Sequence, residues 1–439
     1  MTELRRVIGF WTAVSLVVGG MIGSGVFMLP AALASFGGIS LIGWIVSAGG
    51  SILLALVFAH LARHNPAAGG VYAYTRDSFG DLAGFLVAWG YWISIWSANA
   101  ALSVAFAGYL SPLLHHERWM PVSDRAFGAG LAVATLWFLT AVNSLGVAFA
   151  GRVQVVTTTL KLMPLVVIGI GGLIWFEPAH FAIPAAAEGT SHGGMLLAVV
   201  TMTLFAFVGL ESATIPAGSV INPDRTIPRA TMVGTIVTAG IYIASTAGAM
   251  SLVAPDVLMK STAPFAEAAR ALSGERLAWF VGIGAAISAF GSLNGWILVV
   301  SQLPLAVARD GVFPGIFARV NANGLPIAGM VIAGVLSTAL IGLNYSSSEG
   351  LVMLFTKMML LSTLSTLVPY AFCSLAVFLP GGKRATKLAA GTAVIAALAF
   401  IYAMFAIGGA GADVVYLGFL LILSGLPVYV WVVRARGHK

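Results

Sequence analysis

Of the 15 acidic residues in this chain, only Glu211 lies well inside a long apolar stretch, and of the 22 lysines and arginines only Lys161 and Lys357 do. A charge carried to the centre of a bilayer costs about 2.5–3.5 kcal/mol on insertion scales, so such residues are functional candidates by default. Lys357 stands near one end of its stretch, where its aliphatic stem can carry the ammonium to the interface. Lys161, in Thr157-Thr158-Thr159-Leu160-Lys161-Leu162-Met163-Pro164, is deeper and points to an inward-facing role, either as a constant cation or as a group that gives up a proton. Glu211 reads as a coupling residue, with a protonated side chain bonded to a neighbouring helix as its structural alternative.

Two glycine-rich interruptions accompany these groups. The first reads Val17-Val18-Gly19-Gly20-Met21-Ile22-Gly23-Ser24-Gly25-Val26-Phe27, and the second Leu204-Phe205-Ala206-Phe207-Val208-Gly209-Leu210-Glu211-Ser212-Ala213. A helix in lipid pairs every backbone N–H and C=O within itself. Glycine clusters at mid-depth free some of those groups for a ligand, and paired interruptions in two halves of a chain point to a carrier's binding site.

Other chemistries lack residues. His60, His64, His115, His116, His180, His192 and His438 fall in connections or near the ends of apolar stretches, so no metal cluster is expected. The Gly20–Gly25 run has no preceding strand and is not a nucleotide loop. No nucleophile–base pair has sequence support, and the single cysteine, Cys373, excludes an intrachain disulfide. Neither an enzyme nor a bound cofactor is expected.

The elements that must position these groups follow from composition. The chain is 59% hydrophobic and 8% charged, against about 25% charged in a soluble domain. Stretches long enough to cross a bilayer recur near 9–33, 39–61, 80–113, 127–147, 153–176, 194–218, 230–253, 277–308, 325–344, 350–379, 388–408 and 413–433, which predicts an all-α polytopic membrane protein with twelve transmembrane helices. The third, eighth and tenth are long enough to tilt or project into water. Arg5-Arg6 and Ala31-Ala32-Leu33-Ala34-Ser35 resemble signal-peptide flanks, but the glycine break inside the apolar run favours a retained first span. No connection is long enough to fold alone, so residues 1–439 read as one domain, and Pro264 to Arg270 suits a short surface helix.

With the N-terminus inside, the cytoplasmic segments hold most of the lysines and arginines, and only Arg118, Arg125, Lys260, Arg270 and Arg276 lie in the opposite loops. Both termini are therefore expected in the cytoplasm. The net charge of +7 has the same origin and does not point to nucleic acid.

Gly23-Ser24-Gly25-Val26-Phe27-Met28-Leu29-Pro30, Pro66-Ala67-Ala68-Gly69-Gly70-Val71-Tyr72-Ala73-Tyr74, Phe207-Val208-Gly209-Leu210-Glu211-Ser212, Asn222-Pro223-Asp224-Arg225-Thr226-Ile227-Pro228-Arg229 and Asp310-Gly311-Val312-Phe313-Pro314 together resemble the amino acid–polyamine–organocation superfamily. The similarity runs from about residue 8 to the last span and is nearest to the basic amino acid/polyamine antiporters of the arginine/agmatine type. The resemblance implies a leucine-transporter-like fold: inverted repeats over 9–176 and 194–379, appended helices over 388–433, and discontinuous helices 1 and 6. It also implies a multi-pass protein of the inner membrane, exchanging amino acids or their amine products by alternating access, with a homodimer compatible. A proton-coupled permease or exchanger for neutral amino acids that uses Lys161 is the alternative.

Roles follow from the resemblance and the physics together. Helix N-termini suit a carboxylate, which places the substrate carboxylate at Gly23, Ser24 and Gly25, and the α-ammonium at carbonyls near Met21, Phe205 and Val208. Asn99, Trp296 and Ser362 resemble positions that meet the guanidinium end, and Tyr91 and Tyr370 resemble gating tyrosines. The sequence departs from the arginine/agmatine pattern where Phe205 stands for a tryptophan, Gly20 for an asparagine, Ser94-Ile95 for a smaller pair, and where Lys161 occurs at all. In sodium-coupled relatives an ion occupies the region between spans 1, 5 and 8, which an ammonium group would fill.

Overall fold

The computed structural model describes residues 9–64, 69–114, 123–145, 147–184, 191–214, 220–321, 325–346, 351–379 and 388–436; the side chains of Ser24 and of 112–113, 145, 147–159 and 351–355 are outside that description. Helices carry the architecture. They are α1 (Phe10–Met21), α2 (Ser24–Leu33), α3 (Ile39–His64), α4 (Val71–Phe79), α5 (Asp81–Leu114), α6 (Asp124–Leu145), α7 (Val147–Ile174), α8 (His192–Phe205) and α9 (Pro223–Leu252). The second half continues with α10 (Pro255–Leu258), α11 (Pro264–Ser273), α12 (Glu275–Arg309), α13 (Ile327–Ser346), α14 (Leu351–Ala376), α15 (Ala390–Gly408), α16 (Ala412–Leu423) and α17 (Gly425–Arg436). Among the described residues, 10 helical stretches are long and apolar enough to cross a membrane, and the apolar stretches Leu160–Ile174 and His192–Phe205 are shorter. The chain is a multi-pass membrane protein.

The two interruptions have different local causes. Between α1 and α2 the chain turns extended at Ile22 (φ −73°, ψ 91°) and Gly23 (φ −113°, ψ −158°) before helix resumes at Ser24. The stretch expected across 194–218 is regular helix only to Phe205; residues 206–211 form turns and Ser212–Thr214 a single 3₁₀ turn. Gly209 takes φ +108°, a conformation side-chain-bearing residues rarely adopt, and so keeps helix from resuming across these turns.

α5 and α12 are the longest helices and pack against each other, with α14 on the other flank of α5 and α7 beside α12. At 35 residues α12 spans about 50 Å, beyond the ~30 Å of a hydrocarbon core, so it tilts or projects as its length predicts. α11 is amphipathic. It buries Pro264, Phe265, Ala268 and Ala269 and turns Arg270 outward, where it bonds Glu267 and, at 2.6 Å, Glu275. The expected surface helix is therefore a cap seated on the bundle by its apolar face.

Helices approach closely where glycine permits. A Cβ on Gly172 of α7 would stand 2.1 Å from the Gly248 Cα of α9, and one on Gly248 would stand 2.2 Å from the Ile168 carbonyl oxygen. Gly240, on the same helix, has open space at its Cβ position. Gly248→Ala should therefore force α7 and α9 apart at a cost of about 1–3 kcal/mol, read as a lower melting temperature of the detergent-solubilised protein, while Gly240→Ala should leave that temperature in place. Equal behaviour of the two variants would mean that the crossing is not glycine-dependent.

Candidate functional site

The first interruption is held by a lysine. Lys161 reaches from α7 with no solvent exposure, and its Nζ donates to the Gly19 carbonyl at 2.7 Å, to the Ile22 carbonyl, and to Ser292 Oγ of α12 at 3.4 Å. The Ser292 hydroxyl in turn donates to the Ile22 carbonyl at 2.9 Å. These carbonyls lie where the α1 ladder stops, and a buried unpaired acceptor costs about 1–3 kcal/mol. One ammonium and one hydroxyl thus supply the donors that the missing helical turn does not, and they tie α1, α7 and α12 at one point.

The two interruptions lie against each other. A Cβ on Gly209 would come within 2.9 Å of the Gly20 carbonyl group, and one on Gly20 would meet Ser212 Oγ at 2.9 Å. Ser212 donates to the Leu16 carbonyl at 3.1 Å, and Tyr242 of α9 donates to the Ala206 carbonyl at 3.0 Å. Above this contact the Phe205 ring covers Gly25, whose Cβ would fall 2.7 Å from a ring carbon. The asparagine-to-glycine departure at Gly20 is thereby a matter of space, since a side chain there would enter Ser212 and the Gly209 carbonyl.

Glu211 sits just past the second interruption and is 1% exposed. Tyr91 of α5 donates its hydroxyl to one carboxyl oxygen, Tyr370 of α14 donates to the other, and the Gly209 N–H reaches the second oxygen at 3.3 Å. Three groups assigned to gating or coupling on sequence are thus within one hydrogen-bonded unit, while Lys161 belongs to a separate one. Among the described residues the carboxyl group meets donors and no cation, which sets it apart from an ion pair.

The remaining sequence candidates distribute as follows. Met21 closes α1 and Gly23 precedes α2, with the Gly23 N–H on the Met21 carbonyl at 2.9 Å. Ser24 begins α2, its side chain lying outside the described residues. The Phe205 carbonyl accepts the Val208 N–H at 3.2 Å, so one of its lone pairs is in use. Ser94 and Ser362 bond each other across α5 and α14 at 3.1 Å, with Thr366 adding a third hydroxyl to Ser94. Asn99 is 1% exposed, and its Oδ1 has no partner among the described residues; Trp296 is buried on α12.

Several contributors escape a reading of the sequence. Ser292, Tyr242 and Thr366 are ordinary residues of apolar helices, and nothing in their spacing marks them. At one end of the bundle Arg76 of α4 bonds Asp81 at 2.8 Å and Asp310 at 2.7 Å, Tyr72 donates to Asp310 at 2.9 Å, and Arg436 of α17 approaches Asp81 at 3.5 Å. The Asp81 carboxylate holds the Arg76 guanidinium above its ordinary pKa, and burial with the Asp310 bond raises that of Tyr72. Asp310 belongs to a motif the sequence displays, but the motif does not name its partners. Among the described residues no group of His, Cys, Asp and Glu could hold a metal ion.

Replacing Glu211 with glutamine keeps the shape but sets an amide N–H₂ against a tyrosine hydroxyl that now donates. If Glu211 titrates during the working cycle, Glu211→Gln should flatten the pH dependence of transport while membrane expression holds. A full wild-type pH profile in that variant would remove Glu211 from the titrating groups.

Comparison with known proteins gives the same direction. A family model described as amino acid permease matches residues 8–432. The cadaverine/lysine antiporter of Escherichia coli (strain K12) is 36% identical over 372 residues, 83% of this chain and 82% of that one. A putative arginine/ornithine antiporter of Bacillus subtilis (strain 168) is 34% identical over 461 residues, covering 97% of this chain and 96% of its own. The putrescine transporter PotE of Escherichia coli (strain K12) is 32% identical over 421 residues, 93% of this chain and 92% of that one. In fold, the chain matches the crystal structure of the Eremococcus coleocola manganese transporter with a TM-score of 0.61 and 12% identity, over 99% of this chain and 98% of that one.

Proposed function

Because the chain belongs to the amino acid permease family of the amino acid–polyamine–organocation superfamily, we propose that it is a secondary active exchanger of amino acids or their amine products, working by alternating access in the inner membrane. The observation that carries this reading is the contact between the two interrupted helices at Gly20 and Gly209, with Lys161 at one break and Glu211 at the other. Paired breaks that meet at mid-depth suit a substrate bound between two moving halves. We read the fold as twelve spans, with α1–α7 and α8–α14 as inverted repeats and α15–α17 appended, both termini cytoplasmic.

The substrate carboxylate is assigned to the N-terminus of α2, where Gly23, Ser24 and Gly25 begin a helix whose first amides have no intrahelical acceptor. The α-ammonium group is assigned to the spare carbonyl lone pairs of the second break around Phe205 and Val208, and to Met21. Asn99, Ser94, Ser362 and Trp296 are assigned to the far end of the substrate. The buried acceptor at Asn99 Oδ1 favours a cationic end there, in keeping with relatives named for lysine, arginine, ornithine, cadaverine and putrescine. Phe205 acts as the lid over Gly25, and the Tyr91–Glu211–Tyr370 unit as the gate toward the cytoplasm.

The second reading, proton-coupled movement of neutral amino acids, rests on Lys161 at the first break. Counterflow separates the two. Purified protein in liposomes should take up labelled lysine, arginine or ornithine only when the lumen is preloaded with an amino acid or diamine. Labelled alanine entering empty liposomes down an imposed proton gradient would transfer the assignment to the alternative.

Lys161→Arg refines the test, since arginine stays protonated in proteins. Exchange that survives in this variant while proton-driven uptake is lost would mark Lys161 as the proton carrier. Proton-driven uptake that persists would leave Lys161 as a fixed brace. Monodisperse elution of the variant establishes that it folds before either result is read.

A further inference from the structure

A groove of about 170 Å³ opens between the C-terminal ends of α3 and α14 and the start of α15, away from the two breaks. Its walls are apolar, from Leu56 and Val57 to Val377 and Ile395, but its rim carries Arg63, His60 and the Thr392 hydroxyl, and no carboxylate. Arg63 is exposed, and none of the described acidic residues forms a salt bridge with it. The neighbouring His64 is turned back along the helix: its Nδ1 bonds the His60 carbonyl at 2.8 Å and its ring lies 4.2 Å from the His60 ring. Among the described residues, Arg63 is thus the cation at the groove with no salt bridge.

The surroundings fix what can occupy such a place. Val394 (58% exposed), Leu398 (46%) and Phe378 (44%) stand on the outer surface of the same helices, so the groove opens into the apolar belt that faces lipid. A ligand there meets hydrocarbon walls along most of its length and the Arg63 guanidinium at its polar end. By sequence, the chain joining α14 to α15 carries Lys383, Arg384 and Lys387 and no acidic residue. A soluble anion would leave the apolar walls unused, and a zwitterionic lipid would set its own cation against Arg63. Basic pockets between membrane helices suit anionic headgroups.

We infer that the α3–α14–α15 groove binds one anionic phospholipid, with Arg63 on the phosphodiester, His60 and Thr392 as additional hydrogen-bonding groups, and an acyl chain along Val57, Val377 and Ile395. The proposal does not depend on the transport reading, since none of these residues takes part in the breaks or the gate. It makes the end of α3 and the start of α15 responsive to membrane composition.

Native mass spectrometry of the purified full-length protein tests this, with phosphatidylglycerol and phosphatidylcholine of identical acyl chains as probes. Wild type should retain one phosphatidylglycerol in preference to phosphatidylcholine. Arg63→Gln should lower that occupancy about fivefold, the change expected for one lost cation at a membrane surface. Thr392→Trp, which narrows the groove and keeps the charge, should lower it as well. Arg229→Gln removes an exposed cation elsewhere and should leave it unchanged.

Equal retention of the two lipids, an equal loss in Arg229→Gln, or full retention in Thr392→Trp would each overturn the site. Inorganic phosphate serves as a separate arm: stabilisation of wild type by phosphate that disappears in Arg63→Gln would assign the groove to a soluble anion and overturn the lipid. Monodisperse elution of all three variants shows that none of these results comes from unfolding.

Discussion

A backbone that stops being a helix inside a bilayer must find partners for its amides and carbonyls, and this constraint organises the molecule. At the first break the partners are Lys161 and Ser292, on Gly19 and Ile22. At the second they are Tyr242 on Ala206 and Ser212, which reaches back to Leu16 of the first. Lys161, Ser292 and Tyr242 come from other helices, and Ser212 links the second break to α1. Two interruptions that would cost stability singly thus become the place where α1, α7, α8, α9 and α12 are tied together.

Side-chain size is fixed by the same arrangement. Gly20 and Gly209 are small because their backbones touch, and Gly25 is small because the Phe205 ring covers it. Only Gly209 among these has a backbone angle that by itself selects glycine. The contacts at the two breaks use different chemistry. Over the first break it is the Phe205 ring against a bare backbone. At Glu211 it is a set of directional bonds from two helices, which must be exchanged if those helices part.

How far the sequence discloses this depends on the scale of each feature. Spans and breaks are legible because they need many apolar residues or several glycines in a row, and the helices begin and end close to the apolar stretches. Glu211 and Lys161 are legible because a charge is conspicuous against an apolar background. Ser292, Tyr242 and Thr366 are not, since hydroxyl residues are common in membrane helices and only the fold brings one to a freed carbonyl. The Arg76–Asp81–Asp310 cluster is hidden for a related reason: surface charges abound at helix ends, and their pairing joins residues more than 200 positions apart. The short helix after Pro264 is legible from its leading proline and its alanines, but these do not say that its apolar face seats on the bundle.

The two buried charges are solvated by dipoles instead of by each other, and their partners respond differently to a proton. A neutral Lys161 amine keeps two N–H groups, enough for the Gly19 and Ile22 carbonyls, and its lone pair can accept from the Ser292 hydroxyl once that rotates. Loss of a proton there need not move the backbone. Glu211 behaves otherwise. Its oxygens receive hydroxyl groups from α5 and α14, and a proton on the carboxyl turns an acceptor-only group into one that also donates. The bonds from Tyr91 and Tyr370 then run to a neutral carboxyl in place of a carboxylate and weaken. Protonation at Glu211 therefore acts on the contact between two helices and the second break, whereas a change at Lys161 stays within the first.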